Sequence, residues 1–362
     1  MGVKKEENIF KLLKNFVDLI EDVRYVFLYS RQGLLISKYG NLDFKIRESN
    51  SVEEVHGALS ALVENLLEKV SIEYDIGHFG TGSFETTDHR IIFLEAGPEA
   101  ILLCVCDYDV DLNKIFPISY IVAEKIAQLL EESFDFKYNS LELSNLDVDN
   151  IFSFKFNDQS YMRSFNLENN IKIKLAIPKV QNIKRRFKLI VLGSQAVGKT
   201  TLINCFLGTS KSFDYRPTLG VSLSSKEFYI QGLKEETISL EIYDLAGQEY
   251  FKRVRRHYYT GANCAFVIYD IAKRETFEEA INFWVKDVRE VLGDVPLILI
   301  GNKIDLEEKR EINKEEAMKR AEDIRSFFIE TSALNNINVQ DTFKIIGIGL
   351  FFKSIDDIEV GN

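Results

Sequence analysis

Cysteine is scarce in this chain: 362 residues hold four, at 104, 106, 205 and 264. Cys104 and Cys106 stand two apart in the apolar run AILLCVCD, where a strand would put them on one face. No further ligands stand near them, so a metal site is not expected; they read as small buried hydrophobes in a reducing cytosol. The four histidines, at 56, 78, 89 and 257, are too scattered for a catalytic or metal cluster. Positive charge is in the minority, 45 Lys and Arg against 56 Asp and Glu, and the net charge of -11 argues against nucleic acid as a main partner. Long apolar runs are missing too, and none reaches the roughly 18 residues of a membrane span. The opening MGVKKEENIF lacks the apolar stretch of a signal peptide, and Glu6 stands where myristoylation of Gly2 would need Ser or Thr. The closing LFFKSIDDIEVGN has no cysteine, so no prenyl anchor is expected. A cytoplasmic protein with at most peripheral membrane contact follows. The basic run Lys184-Arg185-Arg186 could touch anionic lipid, though such a run is ordinarily a solvated approach to a strand. Asp107-Tyr108-Asp109-Val110-Asp111 starts like a calcium loop, but Leu112 and Ile118 occupy the places that need Gly and Glu. It reads as a solvated strand end.

What is present suits a soluble globular chain of two domains, with 46% hydrophobic and 28% charged residues and no solenoid repeat. Residues 1–135 have dense mixed periodicity, 136–182 are irregular, and 183–362 alternate strands with helices. In the first zone Ile9, Leu12, Leu13, Phe16, Val17 and Ile20 predict a helix over about 6–21. YVFLYS, RQG and LLISKYG read as a hairpin turning at Gly33. Val55, Leu59, Leu62, Val63 and Leu66 predict a second helix over about 53–70. About three strands follow, with turns at TTDH and GPE, and then a closing helix in PISYIVAEKIAQLLEE. The middle zone has short alternating runs, in SLELSNLDVDNIFSFKFND and NNIKIKLAIPKV, and reads as a partly structured connector.

The chemistry is concentrated in the last zone. FKLIVLG is a continuous apolar strand; Gly193-Ser194-Gln195-Ala196-Val197-Gly198-Lys199-Thr200-Thr201 follows and opens a helix. This is a P-loop in its strand–loop–helix setting. Its backbone N–H groups and helix N-terminus suit phosphate oxygens, Lys199 suits the β- and γ-phosphates, and the Thr200 hydroxyl suits Mg²⁺. A P-loop alone does not separate ATP from GTP. Asn302-Lys303-Ile304-Asp305 after the strand VPLILIG does. A carboxylate at 305 can accept from guanine's ring N–H and exocyclic amine, whereas adenine would leave it unpaired.

With Tyr215-Arg216-Pro217-Thr218-Leu219-Gly220, Tyr243-Asp244-Leu245-Ala246-Gly247-Gln248-Glu249 and Thr331-Ser332-Ala333 in the same order, this zone resembles the Ras superfamily of small GTPases. HYYTGA and ETFEEA favour its Rab-like branch. The resemblance implies a doubly wound α/β P-loop NTPase fold that binds GTP or GDP with Mg²⁺ and hydrolyses GTP slowly. It implies that Thr218 closes over the γ-phosphate and ligates Mg²⁺, and that Asp244 holds the ion through a water. The Gly247 N–H would touch the γ-phosphate and Gln248 would orient the attacking water. The base would sit among Asn302, Lys303, Asp305, Ser332, Ala333 and Leu334, with the Ala333 N–H on guanine O6. Effectors, an exchange factor and an activator are the implied partners, in signalling or trafficking. A scaffold that stays nucleotide-loaded and turns over little is the alternative. Gln195 departs from the family by placing a long side chain where a partner's arginine would enter, and Tyr243 replaces a Trp that faces effectors in Rab proteins. Arg253, Arg255 and Arg256 follow the second switch; they could bring charge toward phosphate, but a surface role in partner binding is the expected one.

The element order of residues 1–135, α-β-β-α-β-β-β-α, resembles the small α+β domains of the roadblock/longin group. Those domains serve as dimerisation platforms or partners of small GTPases. The resemblance implies an interaction domain that forms a homodimer or regulates the GTPase.

Overall fold

The computed structural model describes residues 3–40, 81–85, 89–110, 112–137, 139–143, 162–166, 172–176, 184–209, 220–230, 237–247 and 252–360. The helix expected at 53–70 and most of the TTDH turn lie outside them.

The chain begins with α1 (Val3–Leu19), whose Ile9, Leu12, Leu13 and Phe16 are fully buried. The hairpin β1 (Val23–Ser30) and β2 (Leu35–Gly40) follows, with Gly33 in the left-handed region at its turn. Then come β3 (Thr81–Glu85), β4 (His89–Glu95), β5 (Ala100–Asp107) and α2 (Leu112–Leu130). Helix α2 starts well before the Pro117 at which the sequence placed it. Pro117 is the sixth residue of α2, inside the helix, where it removes one ladder bond to the Asn113 carbonyl while the helix continues through it. Asp107 is not simply solvated: Arg24 grips its carboxylate, with Nε donating at 2.8 Å, and holds its pKa below the ordinary carboxylate range. Two connector strands, β6 (Met162–Asn166) and β7 (Lys172–Ala176), pair with each other, and β7 pairs with β3. The result is a seven-stranded sheet in the order β2-β1-β5-β4-β3-β7-β6. Along β1, Val26 and Leu28 join the core beneath the helices, while Tyr25, Phe27 and Tyr29 stack along the other face.

The second sheet has six strands in the order β13-β12-β11-β8-β10-β9. They are β8 (Lys184–Gly193), β9 (Val221–Tyr229), β10 (Thr237–Leu245), β11 (Cys264–Asp270), β12 (Leu297–Asn302) and β13 (Phe327–Thr331). All pairings are parallel except β9 with β10. Strands β11 and β12 are buried at every residue, because helices cover both faces of a parallel sheet. On β8, Leu189 and Val191 face one apolar cluster and Ile190 and Leu192 the other. The helices are α3 (Lys199–Leu207), α4 (Lys252–His257), α5 (Arg274–Glu279), α6 (Val285–Leu292), α7 (Lys314–Asp323) and α8 (Val339–Val360). Between α5 and α6 the chain widens into a π turn, Ala280–Trp284.

The two sheets belong to units that share a buried face. Helix α8 packs against α2, and one apolar cluster runs from Ile9 to Phe351 through both units. Phe343 stacks on Phe206 of α3 with centroids 4.1 Å apart and meets Phe266 of β11 edge-on at 5.1 Å, so that side of α8 faces its own sheet. Asp341 lies about 200° further round a helix that turns ~100° per residue, and so faces the other way. There it meets Lys125 of α2 at 2.7 Å, with both side chains about 5% exposed or less. Lys125 also donates to the carbonyls of Ser140 and Glu142, and Lys344 pairs with Glu124. The N-terminal unit is therefore docked on α8. Lys125→Met strands a buried carboxylate and should cost about 3–5 kcal/mol in denaturant unfolding. The double variant with Asp341→Leu should recover most of that loss, since an apolar pair can replace a buried ionic one.

Candidate functional site

Parallel pairing puts the carboxyl ends of β8, β10, β12 and β13 on one rim of the second sheet. β8 lies where the strand order reverses, the usual crevice position for a ligand in such sheets. Gly193, Asp244, Asn302 and Thr331 sit at or next to those strand ends. The loop from Gly193 enters α3 through Gly198, whose φ is +100°. A Cβ at 198 would lie 2.3 Å from Asn302 Nδ2, so only glycine lets the loop close on that side chain. Ala196 takes a positive φ of 64° without being glycine. Gln195 and Ala196 are exposed at the crest of the loop, Ser194 and Val197 are buried, and Thr200 and Thr201 are exposed in the first turn of α3.

Lys199 folds back over the loop and its Nζ donates to the carbonyls of Gly193 and Ser194, each at 2.8 Å. Burial lowers its pKa to about 8; Asp244 opposes that shift and Arg255 adds to it. An anion set on the loop would restore the full charge. Thr200 Oγ1 donates to the Asp244 carboxylate, which is almost wholly buried. A hydroxyl and a carboxylate side by side are the hard oxygen donors that Mg²⁺ takes, so the residues present fit that ion. Gly247 follows two residues after the strand and lies flat against the loop. A Cβ there would stand 2.6 Å from Gly193 O.

Asn302 ties the rim together. Its Nδ2 donates to Val197 O at 2.9 Å, and its Oδ1 accepts from Thr331 Oγ1 at 3.1 Å and from the Ala333 N–H at 3.2 Å. The Ala333 N–H, expected on a base oxygen, is thus held by Asn302 here through a long bond that a base carbonyl would have to share. Lys303, at φ 72°, reaches Asp270 at 2.6 Å. Asp305 accepts from Ser332 Oγ, and Leu334 is half exposed beside them.

Residues 188–348 match the model of the Ras family. The C-terminal half of this chain is a Ras-superfamily small GTPase domain. At that general level it is a GTP-binding and GTP-hydrolysing switch with the α/β P-loop NTPase fold, of a family that binds GTP or GDP with Mg²⁺.

Within the GTPase domain, Thr218 and Gln248 lie outside the described residues. Of the arginines after the second switch, Arg255 departs from expectation. Arg255 is 2% exposed rather than on the surface, and its Nη1 donates to Ala246 O at 3.0 Å. Arg256 is committed to Asp287 and Glu290. The sequence also gave no hint of Glu279 and Trp284, both of which bond Ser194 Oγ. The one available signal was that Trp284 is the only tryptophan in the chain. Among the described residues no helix is long and apolar enough to cross a membrane.

Proposed function

We propose that this chain is a Rab-like guanine-nucleotide switch whose N-terminal unit regulates the GTPase domain from its seat on α8. The observation that carries the nucleotide reading is Asn302. One buried side chain joins the phosphate loop at Val197 to the base-side loop at Thr331 and Ala333, and so makes one continuous site from two ends.

In this reading the loop N–H groups of 194–200 and Lys199 hold the β- and γ-phosphates, and Asp305 with Ser332 and Ala333 reads guanine. Thr200, Thr218 and, through a water, Asp244 hold Mg²⁺, which neutralises charge on the phosphate oxygens when bound. Gln248 orients a water toward the γ-phosphorus. The bond from that phosphorus to the β-bridging oxygen breaks, leaving GDP and phosphate. Gly247 donates its N–H to the γ-phosphate. Gln195, exposed at the loop crest, stands where an activator's arginine would approach. The N-terminal unit resembles roadblock/longin domains in its order of elements. Among the described residues its main helical contact with the GTPase domain is α2 against α8, the helix that follows the base-side loop, which gives movement of that loop a path to α2.

Single-turnover hydrolysis tests the switch reading. Gln248→Leu should keep GTP affinity within about twofold and lower the hydrolysis rate at least ~10-fold, since the water loses its guide. A wild-type chain that binds GTP but shows no turnover over hours would favour the loaded scaffold instead.

A further inference from the structure

Arg255 has no role in the reading above, yet it is buried on α4 with its guanidinium at the turn that follows β10. Its Nη1 holds Ala246 O at 3.0 Å, and its guanidinium carbon lies 4.2 Å from the centre of the Trp284 ring. Trp284 Nε1 in turn donates to Ser194 Oγ at 3.3 Å, and Ser194 donates to Glu279. Glu279 precedes the π turn and Trp284 is its last residue; such a widening recurs at functional sites because it re-aims side chains which a regular helix would place elsewhere. A continuous set of contacts therefore leaves the phosphate loop at Ser194, crosses Trp284 and Arg255, and reaches Ala246.

The peptide between Ala246 and Gly247 is planar and trans, so its carbonyl and its N–H point in opposite directions. A donor that fixes the Ala246 carbonyl also fixes where the Gly247 N–H points. We infer that Arg255 is a positioning residue for the triphosphate state: anchored to the phosphate loop through Trp284 and Ser194, it aims the Gly247 N–H at the γ-phosphate. The inference rests on the reading of Gly247 as the γ-phosphate donor. GDP presents nothing to that N–H, so Arg255 should act on triphosphate binding and leave diphosphate binding alone.

The test uses the full chain with Arg255→Ala, Arg255→Lys and Trp284→Phe, titrated with fluorescent GDP and with fluorescent GTPγS. Arg255→Ala should lower the ratio of GTPγS to GDP affinity about tenfold with GDP affinity kept within about twofold, the scale of one lost charge-assisted hydrogen bond. Arg255→Lys should restore part of the ratio, because an ammonium can still donate to the carbonyl. Trp284→Phe keeps a ring under the guanidinium but removes the bond to Ser194, and should shift the ratio in the same direction by less. An unchanged ratio in Arg255→Ala, or an equal loss for both nucleotides, overturns the positioning role. Failure of the wild-type chain to bind either nucleotide would instead sink the guanine-switch reading beneath it.

Discussion

Lys199→Ala should lower GTP affinity by ~10²–10⁴-fold, because each charge-assisted bond to phosphate is worth about 1.5–3 kcal/mol and the ammonium can make two. Fluorescent-nucleotide titration measures it directly. The fold should survive. The lysine is buried at a cost that its two carbonyl acceptors only partly offset, so circular dichroism and the unfolding midpoint should barely move. The same residue gives a pH dependence with a definite sign. Without nucleotide its pKa is lowered to about 8, chiefly by burial. Phosphate raises the pKa in the complex, so below pH 8 the lysine is charged in both states and affinity is flat. Above pH 8 binding must take up a proton, and affinity should fall by up to ~10-fold per pH unit until the pKa of the complex is reached. Lys199→Ala should remove that slope. A wild-type affinity that stays flat from pH 7 to 9 would show that this ammonium does not carry the phosphate.

The second large effect concerns the base. Asp305→Asn should weaken GTP by ~10²–10³-fold, since the carboxylate faces two guanine donors and an amide can accept from only one while its NH₂ opposes the other. Xanthine carries a carbonyl where guanine carries its exocyclic amine. The asparagine NH₂ can donate to that carbonyl, so xanthosine triphosphate should bind the variant more tightly than GTP does. Ser332 already donates to the Asp305 carboxylate and would hold an amide oxygen in the same place, keeping the side chain oriented. Competition between GTP, xanthosine triphosphate and ATP reads both ends of the prediction. A wild-type chain that takes ATP as well as GTP would remove Asp305 from the role.

Local order was written in the residues themselves. The run FKLIVLG and the spacing Gly193–Gly198–Lys199–Thr200 define a strand, a glycine-bent loop and a helix start within one short segment, where no distant contact is needed. The carboxylate at 305 declares its selectivity by its chemistry alone. Apolar periodicity likewise announced α1, because burial of one helix face repeats at a fixed interval along the chain. Tertiary structure decided the rest, since it depends on which surfaces meet. Arg255 reads as one of three surface arginines until Trp284, far along the chain, supplies a ring for its guanidinium and Ala246 supplies an acceptor. Asn302 looks like a base contact in sequence, but its bonds to Val197, Thr331 and Ala333 make it a tie between loops. The connector's β7 could have paired with either sheet, and only the free edge of β3 settles which. The middle of α8, from Phe343 to Phe352, is apolar but for Lys344, which calls for cover on both sides without naming it. The docked α2, with Lys125 against Asp341, is the partner that long-range packing chose, because a buried charge needs its complement at hydrogen-bond distance and no local pattern encodes that meeting.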